Sequence, residues 1–276
     1  MNAPLTARTR VFALLGDPVV HSLSPRFQNA ALSALGLGGA YVALRCGSAE
    51  LPGLLRGLAL AGGGGNVTLP HKALAARTAD RITPAVERTG ACNTFWAEAG
   101  EVWGDNTDVA GVAAAVRLVL GGPPAGARVL LLGAGGAASA ALAALLGEGA
   151  REVVLANRTA ARAHALAAHF ADVRVRVAET ADALPGAFDL AVNATSLGLG
   201  ARDPLPLGDE VAIGAGLDLV YATGGATPWV RRLHESGIPA ADGTEMLLHQ
   251  GAAAFERWWG QPAPLNAMRA ALAAGA

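Results

Sequence analysis

Residues 129–138 read VLLLGAGGAA, and residues 152–162 read EVVLANRTAAR. The first stretch is an apolar run that ends in a glycine turn and opens an alanine-rich segment, the pattern of a strand, a tight turn and a helix. Gly133 permits the turn, Gly135 lets backbone N–H groups approach a pyrophosphate, and Ala138 allows close packing of the helix. The second apolar run ends about 20 residues on, where an NAD site places an acidic residue on the ribose. Here Asn157 and Arg158 stand instead, with Arg162 one turn later. Two guanidinium groups attract a 2′-phosphate that a carboxylate would repel, so the expected cofactor is NADP rather than NAD.

Around this centre the chain has 276 residues, enough for two modest domains. Its 21 basic and 22 acidic side chains leave a net charge of -1 without a run of either sign. That balance argues against a nucleic-acid or anionic-membrane surface and in favour of a small-molecule partner. Hydrophobic residues make up 52% of the chain, but glycine and proline interrupt the apolar runs well before the roughly 18 to 20 residues of a membrane span. The apolar run at 11–15 is too short for a secretory leader, so cytoplasmic residence is expected. Cys46, Cys92 and the six histidines show no ligand spacing, and neither a metal site nor a disulfide framework is expected.

Upstream, residues 11–15, 41–44 and 65–68 are expected as strands, with helices at 25–34, 50–61 and 71–79, an α/β alternation. A long helix is expected from 106 to 120, and Gly121-Gly122-Pro123-Pro124 ends it before a second α/β unit opens at Arg128. That unit is expected to place strands at 129–132, 152–156, 174–177, 189–193 and 217–221, with a last strand near 239–242. Thr227-Pro228 has the form of an N-cap followed by proline at the first helical position. Helical spacing from Met246 to Trp258, and again over 264–273, points to closing helices that return to the first unit. The domain bounds that follow are 1–108 for a substrate domain, 109–243 for a Rossmann-like domain with its linker helix, and 244–276 for the closing helices.

Polar clusters interrupt the apolar first half at 21–25, 66–72, 93–94 and 105–108, each at an expected strand end or loop. Ligands of open α/β sheets gather beyond the carboxyl ends of strands, so these hydroxyls, amides, one lysine and one aspartate suit a polyhydroxylated molecule. Serine hydroxyls at a helix start can donate to a carboxylate, and amide and carboxylate groups can sort ring hydroxyls. Each residue also has a plain structural use, as an N-cap, turn former or solvated helix residue.

The motifs GDPVVHSLSP (16–25), GNVTLPHK (65–72), GACNT (90–94), GDNTD (104–108), GAGGAA (133–138), ANRT (156–159), NATS (193–196) and DGTEMLLHQ (242–250) occur in the order seen in shikimate dehydrogenases, and the chain closely resembles that family. The resemblance implies NADPH-dependent, reversible reduction of 3-dehydroshikimate to shikimate. It implies Lys72 and Asp108 as catalytic residues, and Ser22, Ser24, Thr68, Asn93, Tyr221 and Gln250 as substrate contacts. Gly133, Ala134, Gly135, Gly136 and Ala137 would hold the pyrophosphate. Asn157, Arg158, Thr159 and Arg162 would hold the adenosine phosphate, and Leu219 and Gly243 would flank the nicotinamide. Lys72 is expected as proton donor and acceptor, although burial and a nearby carboxylate act on its amine in opposite senses.

The chain departs from the family pattern at Gln28, Gly65, Cys92 and the Ala-Thr-Gly-Gly stretch after Tyr221. Glycines 62–65 are expected to loosen the strand before Asn66. Alternatives are a quinate or aminoshikimate dehydrogenase paralogue and a catalytically silent NADP-binding regulator. The one macromolecular partner considered is a second copy of the chain.

Overall fold

The computed structural model describes residues 5–178, 184, 186–198, 203–222 and 225–274. The chain divides into two units, Met1–Thr107 with Leu248–Ala276, and Asp108–Leu247. In the first unit, strands β1 (Arg10–Gly16), β2 (Gly39–Arg45) and β3 (Gly64–Val67) alternate with helices α1 (Ser24–Ala34), α2 (Leu51–Leu60) and α3 (Lys72–Thr78). The chain then continues through β4 (Arg81–Ile82), α4 (Pro84–Thr89), β5 (Thr94–Glu98) and β6 (Glu101–Asp105). The strands form one mixed sheet in the order β2-β1-β3-β5-β6-β4. β1 lies parallel to β2 and β3, whereas β5 runs antiparallel to both β3 and β6.

The sequence pattern predicts no element between 79 and 106, so the β5–β6 hairpin is a correction. Its two-residue turn holds Ala99 at φ 53° and Gly100 at φ 81°, both in the left-handed region. Such turns are announced by Asn-Gly or Asp-Gly. Alanine in the first place hides the signal. Glycines 63–65 do not loosen β3 either. A Cβ on Gly63 or Gly65 would collide with the carbonyl oxygen of Val11 or Ala13, and one on Gly64 would sit 2.6 Å from that of Phe95. These glycines let β3 press between its neighbours.

One face of this sheet packs on α2 through Ala13, Leu15, Leu51, Leu55 and Phe95. The other carries Phe12, Leu14 and Tyr41 against Ala254 and Trp258. Those last two belong to α9 (Thr244–Trp259), and α10 (Leu265–Ala273) lies against α1. The closing segment therefore does return to the first unit.

The second unit holds β7 (Arg128–Leu132), β8 (Glu152–Ala156), β9 (Val175–Val177), β10 (Leu190–Asn193), β11 (Gly216–Asp218) and β12 (Ala240–Ala241). All pair in parallel, in the order β12-β11-β10-β7-β8-β9. Read from β9, this is the 3-2-1-4-5-6 arrangement of a doubly wound sheet, with its switch point between β7 and β10. Helices α5 (Asp108–Leu120), α6 (Gly136–Gly147), α7 (Ala160–Phe170) and α8 (Pro228–Glu235) surround it.

Val112, Ala115 and Val116 of α5 share a buried core with Leu142 and Leu145 of α6. The glycine-proline stretch 121–124 is thus a turn inside this unit, which opens at Asp108 and not at Arg128. β11 stops at Asp218, short of the expected Tyr221, because the Asp218 carboxylate turns back to accept the Val220 N–H at 3.1 Å. Thr227 caps α8 by accepting the Val230 N–H, as its Thr-Pro signature predicts.

Candidate active site

In the first unit four of the polar residues singled out from sequence, Asn66, Asn93, Thr94 and Thr107, share one buried network. Asn66, at the end of β3, donates through Nδ2 to the Asn93 carbonyl at 3.1 Å and to Thr94 Oγ1 at 2.9 Å. Asn93 Oδ1 in turn accepts the Thr107 N–H at 2.8 Å and the Thr94 hydroxyl at 2.9 Å. Asn66, Asn93, Thr94 and Thr107 are all buried. Buried amides and hydroxyls are costly unless paired, so the network rigidifies the loops that carry it.

Lys72 opens α3 half-buried, and its carbonyl accepts the Cys92 N–H at 2.9 Å, fixing the helix start to the residue before Asn93. His71, just before it, is buried, and its Nε2 lies 2.9 Å from the Cys46 carbonyl. Thr68 donates its N–H to the Leu15 carbonyl. Burial pushes the Cys92 thiol up to about 12, so this departure from the family pattern supplies a small apolar filler and no thiolate.

Ser22 and Ser24 stand at the start of α1, where the Ser22 hydroxyl accepts the Ser24 N–H at 3.2 Å. Neither serine caps the helix, whose N-cap is Leu23. Gln28 reaches the Gly251 carbonyl at 2.9 Å, beside Gln250, which is buried on α9. Asp108 and Tyr221 belong to the second unit, the first buried at the start of α5 and the second half-buried past β11. Burial raises the Tyr221 phenol above its ordinary value.

The second unit carries a cleft of about 510 Å³, lined by Gly133, Ala134 and Gly135, by Asn157, Arg158, Thr159 and Arg162, and on its far side by Thr195 and Pro206. It opens at the switch point between β7 and β10. Gly133 has φ 110°, and a Cβ there would lie 2.8 Å from the Ala194 carbonyl. Only glycine makes this turn. A Cβ on Gly135 or Gly136 would meet no atom within 4 Å, so backbone at the N-terminus of α6 faces open space. Ala137 continues that first turn, and Ala138 behind it is fully buried.

Arg158 and Arg162 are exposed, and no ion pair engages either among the described residues. An open glycine turn at a helix N-terminus, faced by two uncommitted guanidinium groups, fits a dinucleotide with an extra phosphate. Gly243 packs its backbone on the Leu219 carbonyl, so these two residues, far apart in sequence, meet.

Sequence reading missed Tyr41, Asn29 and Asp218. Asp218 is buried and accepts from Asn193 Nδ2 at 2.8 Å and from the Thr227 hydroxyl at 2.7 Å. Burial raises its carboxyl above the usual range despite those donors. Asn193 also receives the Thr195 N–H and reaches the Leu197 carbonyl, which shapes the cleft wall. The only signal for Asp218 was a lone acid inside an apolar run. Part of the Ala222–Gly225 departure, Thr223 and Gly224, lies outside the described residues. Among the described residues no group of histidine, cysteine and acidic side chains could hold a metal, and no helix is long and apolar enough to cross a membrane.

Family models match residues 14–95 as shikimate dehydrogenase substrate binding domain, 120–198 as shikimate / quinate 5-dehydrogenase, and 243–273 as shikimate 5'-dehydrogenase C-terminal domain. A Geobacter sulfurreducens protein named shikimate dehydrogenase (NADP(+)) is 41% identical, covering 98% of each chain. Shikimate dehydrogenase from Aquifex aeolicus superposes with a TM-score of 0.89 at 32% identity, over 98% of this chain and 99% of that one. Shikimate 5-dehydrogenase from Thermus thermophilus, solved in complex with NADP(H) and shikimate, does so with a TM-score of 0.85 at 38% identity, over 95% and 98%. Motif order, sheet topology and identity over nearly the whole length agree, and the chain belongs to the shikimate dehydrogenase family.

Proposed function

We propose that this chain reduces 3-dehydroshikimate to shikimate with NADPH, reversibly, in aromatic amino-acid biosynthesis, and that Lys72 carries the proton. The cleft of the second unit carries the cofactor half of this reading. Its open glycine turn and two unengaged arginines suit the pyrophosphate and the extra phosphate. Backbone of Gly133, Ala134, Gly135, Gly136 and Ala137 holds the pyrophosphate. Asn157, Arg158, Thr159 and Arg162 hold the adenosine phosphate, with Leu219 and Gly243 beside the nicotinamide.

NADPH, when bound, supplies the hydride to the carbonyl carbon. Negative charge then builds on the carbonyl oxygen, and the Lys72 ammonium donates a proton to it; in the oxidative direction the neutral amine takes the hydroxyl proton back. Asp108 orients the amine and grips a neighbouring hydroxyl. Ser22, Ser24 and Tyr221 take the substrate carboxylate, and Thr68, Asn93 and Gln250 take the ring hydroxyls. The unit of Met1–Thr107 with Leu248–Ala276 serves the substrate, and the unit of Asp108–Leu247 serves the cofactor. The enzyme works in the cytoplasm on small molecules, with no nucleic-acid or membrane partner and at most a second copy of itself.

Purified protein mixed with shikimate or quinate, and with NADP⁺ or NAD⁺, tests the reading by the absorbance of the reduced cofactor. Turnover of shikimate with NADP⁺ at the highest kcat/KM is the expected result. A preference for quinate or for NAD⁺ moves the chain to the paralogue reading, and silence with all four pairs ends the enzymatic one.

A further inference from the structure

The loop that follows β10 begins and ends on one buried carboxylate. Asp218, the last residue of β11, turns Oδ1 to Asn193 Nδ2 at 2.8 Å and to the Val220 N–H at 3.1 Å, and Oδ2 to the Thr227 hydroxyl at 2.7 Å. Asn193 is the residue where the loop leaves β10. At its far end Gly198 has φ 93°, and a Cβ there would lie 3.8 Å from Asp218 Oδ2. Asp218, Asn193 and Thr227 are wholly enclosed. No cation accompanies this carboxylate among the described residues, so its three donors alone offset the cost of burying it.

Donor and acceptor roles carry the effect of Asp218 outward. A carboxylate only accepts, so it fixes the Asn193 carboxamide with the nitrogen inward. The amide oxygen is thereby turned to the loop, where it takes the Thr195 N–H at 3.0 Å and the Thr195 hydroxyl at 2.6 Å. Thr195 Oγ1 in turn accepts the Leu197 N–H at 3.1 Å. Thr195, Ser196 and Leu197 all line the cleft. On the other side of Oδ1, the Val220 carbonyl accepts the Gly243 N–H at 2.9 Å, and Leu219 gives its N–H to the Asn193 carbonyl at 2.9 Å. We propose that Asp218 is a positioning residue for the cofactor, whose Oδ1 clamps the Thr195–Leu197 wall, through Asn193, to the segment of Leu219 and Val220. This rests on the reading of the cleft as a cofactor site and of Leu219 as a neighbour of the nicotinamide. The clamp sets shape and does not meet the 2′-phosphate, so it serves NADPH and NADH alike, unlike Arg158 and Arg162.

The test titrates the protein with NADPH and with NADH, following nicotinamide fluorescence, well below the Tm of every variant. Asp218→Ala should raise both Kd values about fivefold to twentyfold and by the same factor, the coupling expected within one hydrogen-bond network. Asp218→Asn can turn its oxygen to Asn193 and Val220 and its nitrogen to Thr227 Oγ1, so both Kd values should stay within about twofold. Thr227→Val leaves Oδ1 and its two donors untouched. It should lower Tm, since a buried bond and a helix cap are lost, yet leave both Kd values within about twofold.

Unchanged Kd values in Asp218→Ala overturn the proposal and leave the cofactor reading standing. A rise confined to NADPH overturns it too, because the carboxylate would then act on the phosphate. So does an equal rise in Thr227→Val, since lost stability alone would account for it, and an equal rise in Asp218→Asn, since charge and not the clamp would be responsible. If the natural protein binds neither dinucleotide, the cofactor reading and the proposal fail together. Should Asp218→Ala not fold, Asn193→Ala cuts the clamp from the wall and leaves Asp218 two of its donors. Both Kd values should then rise about threefold to tenfold, and unchanged values overturn the proposal.

Discussion

The two units build their sites from opposite materials. In the second, the cleft is made largely of backbone: a glycine turn and a helix N-terminus left open among the described residues, with arginines that reach out from exposed positions. In the first, the polar groups are side chains sunk between strands, each holding another, from Tyr41 through Asn66 and Asn93 to Thr107. A site of backbone and open space tolerates sequence change in its surroundings and is sensitive to charge. A site of interlocked buried amides is sensitive to packing, because one lost partner leaves another group unsatisfied.

The sharpest way to break this contrast is to add one methyl group to each site. Gly65→Ala should destabilise the chain by at least about 3 kcal/mol in urea unfolding, because the new Cβ meets the Ala13 carbonyl with no room to move. An unchanged unfolding midpoint would mean that β3 is not tightly held. Lys72→Ala should lower kcat roughly a hundredfold or more while moving the shikimate KM little, as loss of a proton carrier does. Retained turnover would strip that residue of its role and reduce the first site to a binding platform.

Exchanging Arg158 and Arg162 together for methionine should raise the KM for NADPH about tenfold or more, the weight of charge-assisted hydrogen bonds, and leave that for NADH nearly alone. Equal effects on both cofactors would show that the cleft does not read charge. The mildest change is Gly135→Ala, the counterpart of Gly65→Ala. Its Cβ meets nothing within 4 Å, so stability should hold within about 0.5 kcal/mol while the NADPH KM rises a few-fold. A large loss of stability there would erase the distinction between the units.

The same contrast explains what could be read from the chain beforehand. The second unit is nearly complete in its sequence: apolar runs of strand length, a glycine turn and a Thr-Pro cap each have a local cause and a local mark. It was misread at its start, Asp108 rather than Arg128, and at the early end of β11, which came from a tertiary event, the return of the Asp218 carboxylate to Val220. In the first unit the parallel strands were visible, but the β5–β6 hairpin was hidden by alanine where asparagine usually stands. Ser24, Asn66 and Asn93 drew notice because polar residues in apolar surroundings are conspicuous. Tyr41 and Asn29 did not, since a tyrosine in an alternating strand and an asparagine in a helix look ordinary until residues 12 apart in sequence are seen to bond. Glycines 63–65 misled in the other direction, because freedom of the isolated backbone says nothing about how closely another strand approaches.

One small feature bears on how the molecule keeps to itself. β2 is the outermost strand of its sheet, and an outermost strand offers bare peptide groups to any passing chain. At its third residue the outward N–H and carbonyl of Tyr41 are both capped by the carboxamide of Asn29, which mimics the peptide of a missing neighbour. A strand from another molecule would have to evict that side chain before it could zip on, so the same carboxamide that steadies Tyr41 also guards the rim of the sheet against unwanted lamination.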